Sequence, residues 1–158
     1  MNIFPESITE EDELKLSSEI ATVLMPIRGR PHGSRCRILR FGYDYDGDAA
    51  WLGDIPEWIP KFDEKFPEFN SVTINEYRRG QAIGPHIDSK MFGDIAILSL
   101  LAEVIMRFTS PFGEQRNYTL LPRSLAIMSG ELRHRWQHET LPLDANRRLS
   151  VVFRNRIV

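Results

Sequence analysis

The stretch Arg148-Leu-Ser-Val-Val-Phe-Arg154 alternates with a period of two. On an extended strand Leu149, Val151 and Phe153 share one face, and Arg148, Ser150, Val152 and Arg154 share the other. The first face is built for a core. Two arginines on the second fit either a solvated sheet surface or a cavity wall that takes a dicarboxylate, whose shape matches the planar guanidinium fork. Residues 71–77 (Ser-Val-Thr-Ile-Asn-Glu-Tyr) repeat the pattern, with Val72 and Ile74 on one face and Asn75 and Tyr77 on the other. On a neighbouring strand that amide and phenol supply neutral hydrogen bonds to the same cavity.

Outward from these two stretches, short strands are predicted over 95–101, 104–108, 117–121, 124–128 and 132–138, with Gly and Pro in the gaps. Many short strands separated by turns predict a sandwich or double-sheet barrel. The N-terminal part reads differently. Ser7-Ile-Thr-Glu10 has the form of a capping box, followed by Leu16, Ile20, Val23 and Leu24 on one helical face and by Pro26 as a stop. Residues 35–41 read as a strand. Residues 56–66 read as a short helix, with Trp58, Phe62 and Phe66 four apart and Pro60 in the first turn. The acidic turn from Asp44 to Asp48 lacks the ligand spacing of a calcium loop.

A chain of 158 residues favours one domain with a single core. A net charge of −2 excludes a global basic field that recruits nucleic acid, and leaves room for a local basic patch. The single cysteine, Cys36, excludes a disulfide framework and a thiolate zinc site, and reads as a small buried hydrophobe. No apolar run reaches spanning length, and the acidic N-terminus lacks the apolar core of a signal peptide. A cytoplasmic protein with no membrane partner is expected.

The chemistry-bearing residues are His86-Ile-Asp88 and a histidine about fifty positions later. Two neutral imidazoles and one carboxylate hold ferrous iron on one side and leave three positions open for a co-substrate and dioxygen. His134 and His138 compete as the distal ligand, since a strand over 132–138 puts both on one side. His32, in a Gly- and Pro-flanked loop, reads as a solvated side chain.

Asn75-Glu-Tyr77, His86-Ile-Asp88, Ser129-Gly-Glu-Leu-Arg133 leading to Trp136-Gln-His138, and Arg148-Leu-Ser-Val-Val-Phe-Arg154 together resemble the AlkB family of iron(II)- and 2-oxoglutarate-dependent dioxygenases. The motifs follow the family's order over residues 71–156. The Ile-Asn-Glu-Tyr and Trp-Gln-His stretches are most similar to the branch that oxidises tRNA wobble uridine. The resemblance implies an α+β fold: a double-stranded β-helix (jelly-roll) core over 71–158, preceded over 1–70 by N-terminal helices and a short nucleotide-recognition-like lid, all within a single domain. It implies that His86, Asp88 and His138 ligate Fe(II), with a hydrogen-bond acceptor on the second ring nitrogen of each histidine. Arg148 and Tyr77 would then take the distal carboxylate of 2-oxoglutarate, and Asn75 and Arg154 its carboxylate and keto end. Dioxygen is the second co-substrate, and 2-oxoglutarate leaves as succinate and carbon dioxide.

In such a protein the lid grips the substrate. Arg35, Arg37 and Arg40, with Tyr43, Tyr45 and Trp51 close behind, are the candidates here: arginines for phosphates, rings for an extruded base. Arg28 and Arg30 add charge. The implied activity is oxidation of a modified nucleic-acid base in DNA or RNA. Hydroxylation of an N-methyl group would release formaldehyde, and hydroxylation of a uridine side chain would leave an alcohol. The alternatives are the same chemistry on a protein or small molecule, and a catalytically silent nucleic-acid-binding module. Three departures from the family stand out. No second acidic residue follows His86-Ile-Asp88. Leu101-Ala102 stands in place of Leu-Gly, and Glu139-Thr140 in place of the Gly after the distal histidine.

Overall fold

A computed structural model describes residues 1–24, 36–44 and 50–157. The chain opens with a short strand β1 (Asn2–Phe4) and helix α1 (Glu10–Leu24). The strands β2 (Arg37–Gly42), β3 (Ser71–Arg78), β4 (Phe92–Leu100), β5 (Val104–Thr109), β6 (Gln115–Leu120) and β7 (Leu125–Met128) follow. A one-turn helix α2 (Gly130–His134) then precedes β8 (Gln137–Thr140) and β9 (Arg147–Arg156). β1 has no counterpart in the sequence reading. No helix among the described residues is long and apolar enough to cross a membrane.

The strands form two antiparallel sheets. The larger has the order β1-β7-β4-β9-β3-β2 and the smaller β6-β5-β8. This is the jelly-roll arrangement, in which chain neighbours such as β4 and β5 belong to different sheets. β9 sits centrally, with Arg148 opposite Tyr77 on β3 and Ser150 opposite Ser99 on β4. Its alternation sorts the two faces. Leu149, Val151 and Phe153 join Val72, Ile74, Leu98 and Leu125 in the main core, which α1 covers with Leu16, Ile20 and Leu24. The opposite face looks onto the small sheet. There Ile95, Ile97, Met128 and Val152 meet Met106, Phe108 and Leu120 in a second core, and the remaining space is the cleft described below.

Four local expectations are corrected. The helix start is a Thr9–Asp12 box: the Asp12 amide donates to Thr9 Oγ1 at 3.1 Å and the Thr9 amide to the Asp12 carboxylate at 3.2 Å. Ser7 instead donates its hydroxyl to the Phe4 carbonyl. Second, α1 is the one N-terminal helix among the described residues, because 56–66 is a run of turns. Pro60 removes an amide donor and Pro67 follows, so the aromatic spacing is met by a tight bridge, with the Phe66 amide donating to Phe62 O at 2.7 Å. Phe62 and Phe66 still reach the main core. Third, 132–138 is not one strand. Its first part is α2, entered through Gly130 at φ 57°, a left-handed conformation that suits glycine. Leu132 and Trp136, four apart, are both buried in the second core. Fourth, His134 therefore lies on a helix, exposed, and does not share a strand face with His138. Pro26 lies outside the described residues.

Candidate active site

Three segments converge at one end of the gap between the sheets. His86 and His138 are locked to each other by the backbone: the His86 amide donates to His138 O at 3.0 Å and the His138 amide to His86 O at 2.8 Å. Their rings lie 4.3 Å apart between centroids. Asp88, on the loop that follows, puts Oδ1 3.9 Å from His86 Nε2 and Oδ2 3.5 Å from His138 Nε2. One ligand atom from each of these residues lies within 4.8 Å of the others. Asp88 and His138 are buried and His86 is partly exposed, so the cluster has a protected side and an open side.

The protonation states suit a cation. The Gly84 carbonyl lies 2.8 Å from His86 Nδ1 and can only accept, so Nδ1 is the donor and Nε2 is the nitrogen turned toward Asp88. Burial pushes His138 down to about 4, against the opposing pull of Asp88, so its ring is neutral at ordinary pH. Nδ1 of His138 is buried with no hydrogen-bond partner. Among the described residues the expected acceptor is therefore present for His86 and absent for His138, whose ring packs 5.7 Å from that of Phe108.

A cleft runs inward from this cluster, with about 480 Å³ of open space including its mouth. Its wall holds Asn75, Tyr77, Arg148 and Arg154 as well as His86, Asp88 and His138, and the apolar remainder includes Ile95, Ile97, Met106 and Leu120. β3 and β9 bring these residues together by parity alone: Asn75 and Tyr77 share a face, and the register sets them opposite Ser150 and Arg148. Arg148 is buried, with its guanidinium 5.3 Å from the centre of the Tyr77 ring and Nε donating to Ser99 Oγ at 3.2 Å. Among the described residues it has no carboxylate partner. Burial lowers its affinity for its own proton and raises that of the Tyr77 phenol, which stays protonated and able to donate. Arg154 donates to Thr73 Oγ1 at 3.0 Å and approaches Asp88 Oδ1 at 3.4 Å. The sequence reading gave no role to Ser99 and Thr73, and placed Ser150 on the arginine face without assigning it one. Their signal is a hydroxyl placed within an otherwise apolar run, on the same parity as the predicted site residues.

The substrate candidates divide. Arg35 and Tyr45, with Arg28, Arg30 and His32, lie outside the described residues. Arg37 pairs in register with Glu76 and so points away from the cleft. There it forms an ion pair with buried Glu76, which also receives Arg147 at 2.8 Å and Arg78 at 3.3 Å. Burial alone would raise the Glu76 carboxyl; Arg37, Arg147 and Arg78 outweigh it and hold it below its usual range. Arg40 pairs in register with Thr73 and has the cleft-side parity, with NH1 3.4 Å from Asp44. Tyr43 meets Trp51 edge-on at 5.1 Å, and the Arg156 guanidinium lies 4.7 Å from the centre of the Tyr43 ring. Trp51 is half exposed. None of these four described candidates lines the cleft wall itself.

A family model described as the 2OG-Fe(II) oxygenase superfamily matches residues 37–154. A tRNA (carboxymethyluridine(34)-5-O)-methyltransferase alkbh8 of Xenopus tropicalis is 45% identical over 122 residues, 67% of this chain and 19% of that protein. The chain thus spans about a fifth of the length of that relative. Among solved structures, OsALKBH1 superposes with a TM-score of 0.74 at 13% identity, covering 98% of this chain and 97% of that one. A Pseudomonas putida prolyl-4-hydroxylase gives 0.63 at 16% identity, with 98% and 92% covered. At these identities the likeness to both structures is one of fold.

Proposed function

We propose that this chain, which belongs to the 2OG-Fe(II) oxygenase superfamily, is an iron(II)- and 2-oxoglutarate-dependent dioxygenase of AlkB type, as its likeness to alkbh8 supports, and that it oxidises a modified nucleic-acid base in the cleft between its two sheets. The observation that carries the site assignment is Arg148. A buried guanidinium is costly to desolvate unless an anion or several acceptors meet it. Its partners here are a serine hydroxyl and the neutral Tyr77. A carboxylate entering the cleft completes the pair, and 2-oxoglutarate carries one at its far end.

The donor set fits iron. Two neutral imidazole nitrogens and one carboxylate leave one hemisphere open and no thiolate competes, which is the pattern of non-haem iron oxygenases. His86, Asp88 and His138 would hold the metal. Bound there, iron(II) would supply the oxidising chemistry of the family, which consumes 2-oxoglutarate and dioxygen and yields succinate, carbon dioxide and an oxygenated substrate. The residues of the chain position and shield. Arg148 and Tyr77 hold the distal carboxylate, which fixes the co-substrate's length axis. Arg154, 3.4 Å from Asp88, and Asn75 in the same wall orient the end that reaches the metal. The apolar wall of Ile95, Ile97, Met106 and Leu120 excludes water from the reacting centre.

The nucleic-acid part rests on different support. The relative's name places that protein on a tRNA carboxymethyluridine. Beside the cleft, Arg40 and the Tyr43–Trp51–Arg156 group combine cationic and aromatic surface of the kind that takes phosphates and stacks bases. The test is a screen of modified oligonucleotides and tRNA with iron(II) and 2-oxoglutarate, read by mass spectrometry. A gain of one oxygen or loss of a methyl group, together with succinate formation abolished by His86→Ala and Asp88→Ala, is expected. Succinate formation stimulated by a peptide or metabolite and by no nucleic acid would overturn the substrate assignment. No turnover from folded, iron-loaded protein would overturn the site assignment.

A further inference from the structure

Arg133 and Arg148 are the bulkiest fully buried side chains among the described residues, and Arg133 lies in none of the roles above. Its guanidinium donates to four backbone carbonyls of one short stretch: NH1 to Asp88 O at 3.2 Å, NH2 to Ser89 O at 2.7 Å and Phe92 O at 2.8 Å, and Nε to Gly93 O at 2.9 Å. The stretch leads into a register shift of the β4–β9 ladder between Phe92 and Ile95. A shift of this kind interrupts strand pairing, and the arginine fork supplies donors where the ladder lapses. At the other end of the side chain, α2 runs within a few residues into β8 and His138.

The geometry points to Arg133 as a positioning residue for the metal site, bracing the loop that carries Asp88 against the segment that carries His138. His86 and His138 need no such help, because two backbone hydrogen bonds already join them. Asp88 has no such tie in the His86–His138 bridge. It lies beyond that bridge; Arg154 NH2 meets its Oδ1 at 3.4 Å, and the course of residues 88–93 sets where its backbone stands. Arg133 grips that course at both ends, including the carbonyl of Asp88 itself. A loop that needed only satisfied carbonyls could take them from water at the surface. Burying a guanidinium instead gives a fixed, planar set of donors that holds the third ligand to one position.

The inference rests on reading His86, Asp88 and His138 as the metal set, and the experiment separates the two. Cobalt(II) affinity is measured on the folded metal-free chain, its Arg133→Lys variant, and a Glu13→Gln variant. Glu13 is buried on α1, where it accepts the Leu101 amide at 2.7 Å and Arg123 at 3.2 Å. Glu13→Gln therefore loses stability without touching the site. Lysine keeps the charge and loses the fork. A fall of about 10–100-fold in affinity for Arg133→Lys, with Glu13→Gln unchanged and the KM for 2-oxoglutarate at saturating metal held within a few-fold, supports the brace. Equal affinity in folded Arg133→Lys and wild type overturns it. Absence of cobalt uptake by the wild type removes the metal reading, and the brace with it. Should Arg133→Lys not fold, exchange of the Arg133 Nε–H in the wild type is followed by NMR. Because coupling is reciprocal, zinc must slow that exchange by tenfold or more; an unchanged rate overturns the proposal.

Discussion

Arg148 and His138 show how burial sets chemistry at single residues. Arg148→Ala removes the cation meant for the distal carboxylate and leaves the metal cluster intact. The KM for 2-oxoglutarate should rise by about two orders of magnitude, since a charged hydrogen-bonded pair in a buried site is worth about 2–4 kcal/mol. A change of less than threefold in steady-state assays would show that the clamp lies elsewhere. His138 gives a pH effect. In metal-free protein the unfolded imidazole takes a proton below about pH 6.5, while the folded one, held down by burial, takes it at about 4. Across that window the unfolded state binds more protons, so stability is full above pH 6.5 and falls as the pH drops. From pH 6.5 to 5 the loss should reach about 2 kcal/mol, seen as a falling melting temperature that is flattened in His138→Asn. Equal slopes in the two proteins would count against burial as the cause.

At the level of elements, strand parity sorts the arginines of β2. Arg37 belongs to the Glu76 cluster and Arg40 to the cleft side. Arg37→Ala should lower stability by about 1 kcal/mol, since the pair is half solvated, and leave oligonucleotide affinity unchanged. Arg40→Ala should weaken oligonucleotide binding several-fold and reduce its salt slope by about one. A salt titration of both variants checks this; equal effects would mean that the face of β2 carries no meaning for substrate. Parity was also what the sequence made legible. The alternation of 71–77 and 148–154 sorted each strand into two faces, because period two is a local property; that the face of Asn75, Tyr77, Arg148 and Arg154 lines a cleft was implied only by the resemblance. What was illegible depended on tertiary partners. Leu132, His134, Trp136 and His138 satisfy period two and period four equally well, and the helical turn buries Leu132 and Trp136 together in the second core. Residues 56–66 have helical aromatic spacing, yet the prolines prevent the hydrogen bonds. The pairing of β1 with β7 left no signal in three residues.

Across the whole molecule, the large sheet separates stability from chemistry. Its outer face, α1 and the 55–69 region form the main core, and its inner face forms the cleft. Phe153, packed edge-on against Phe62 at 5.6 Å and Phe69 at 5.0 Å, lies on the first side between Val152 and Arg154 on the second. Phe153→Ala should therefore cost about 3–5 kcal/mol in denaturant unfolding, while the fraction that remains folded keeps cobalt affinity within about twofold; a larger change would show that the two faces are coupled. The alternation of β9 carries a further consequence. A slip of one residue against β3 would put Arg148 and Arg154 among the aromatics of the core and hand Leu149 and Phe153 to the cleft. A slipped sheet would therefore have to bury two guanidinium groups in an apolar core, which is strongly penalised. Burial of the apolar face and presentation of the cations are a single event, so a copy that packs this core has in the same step built the walls of its cleft.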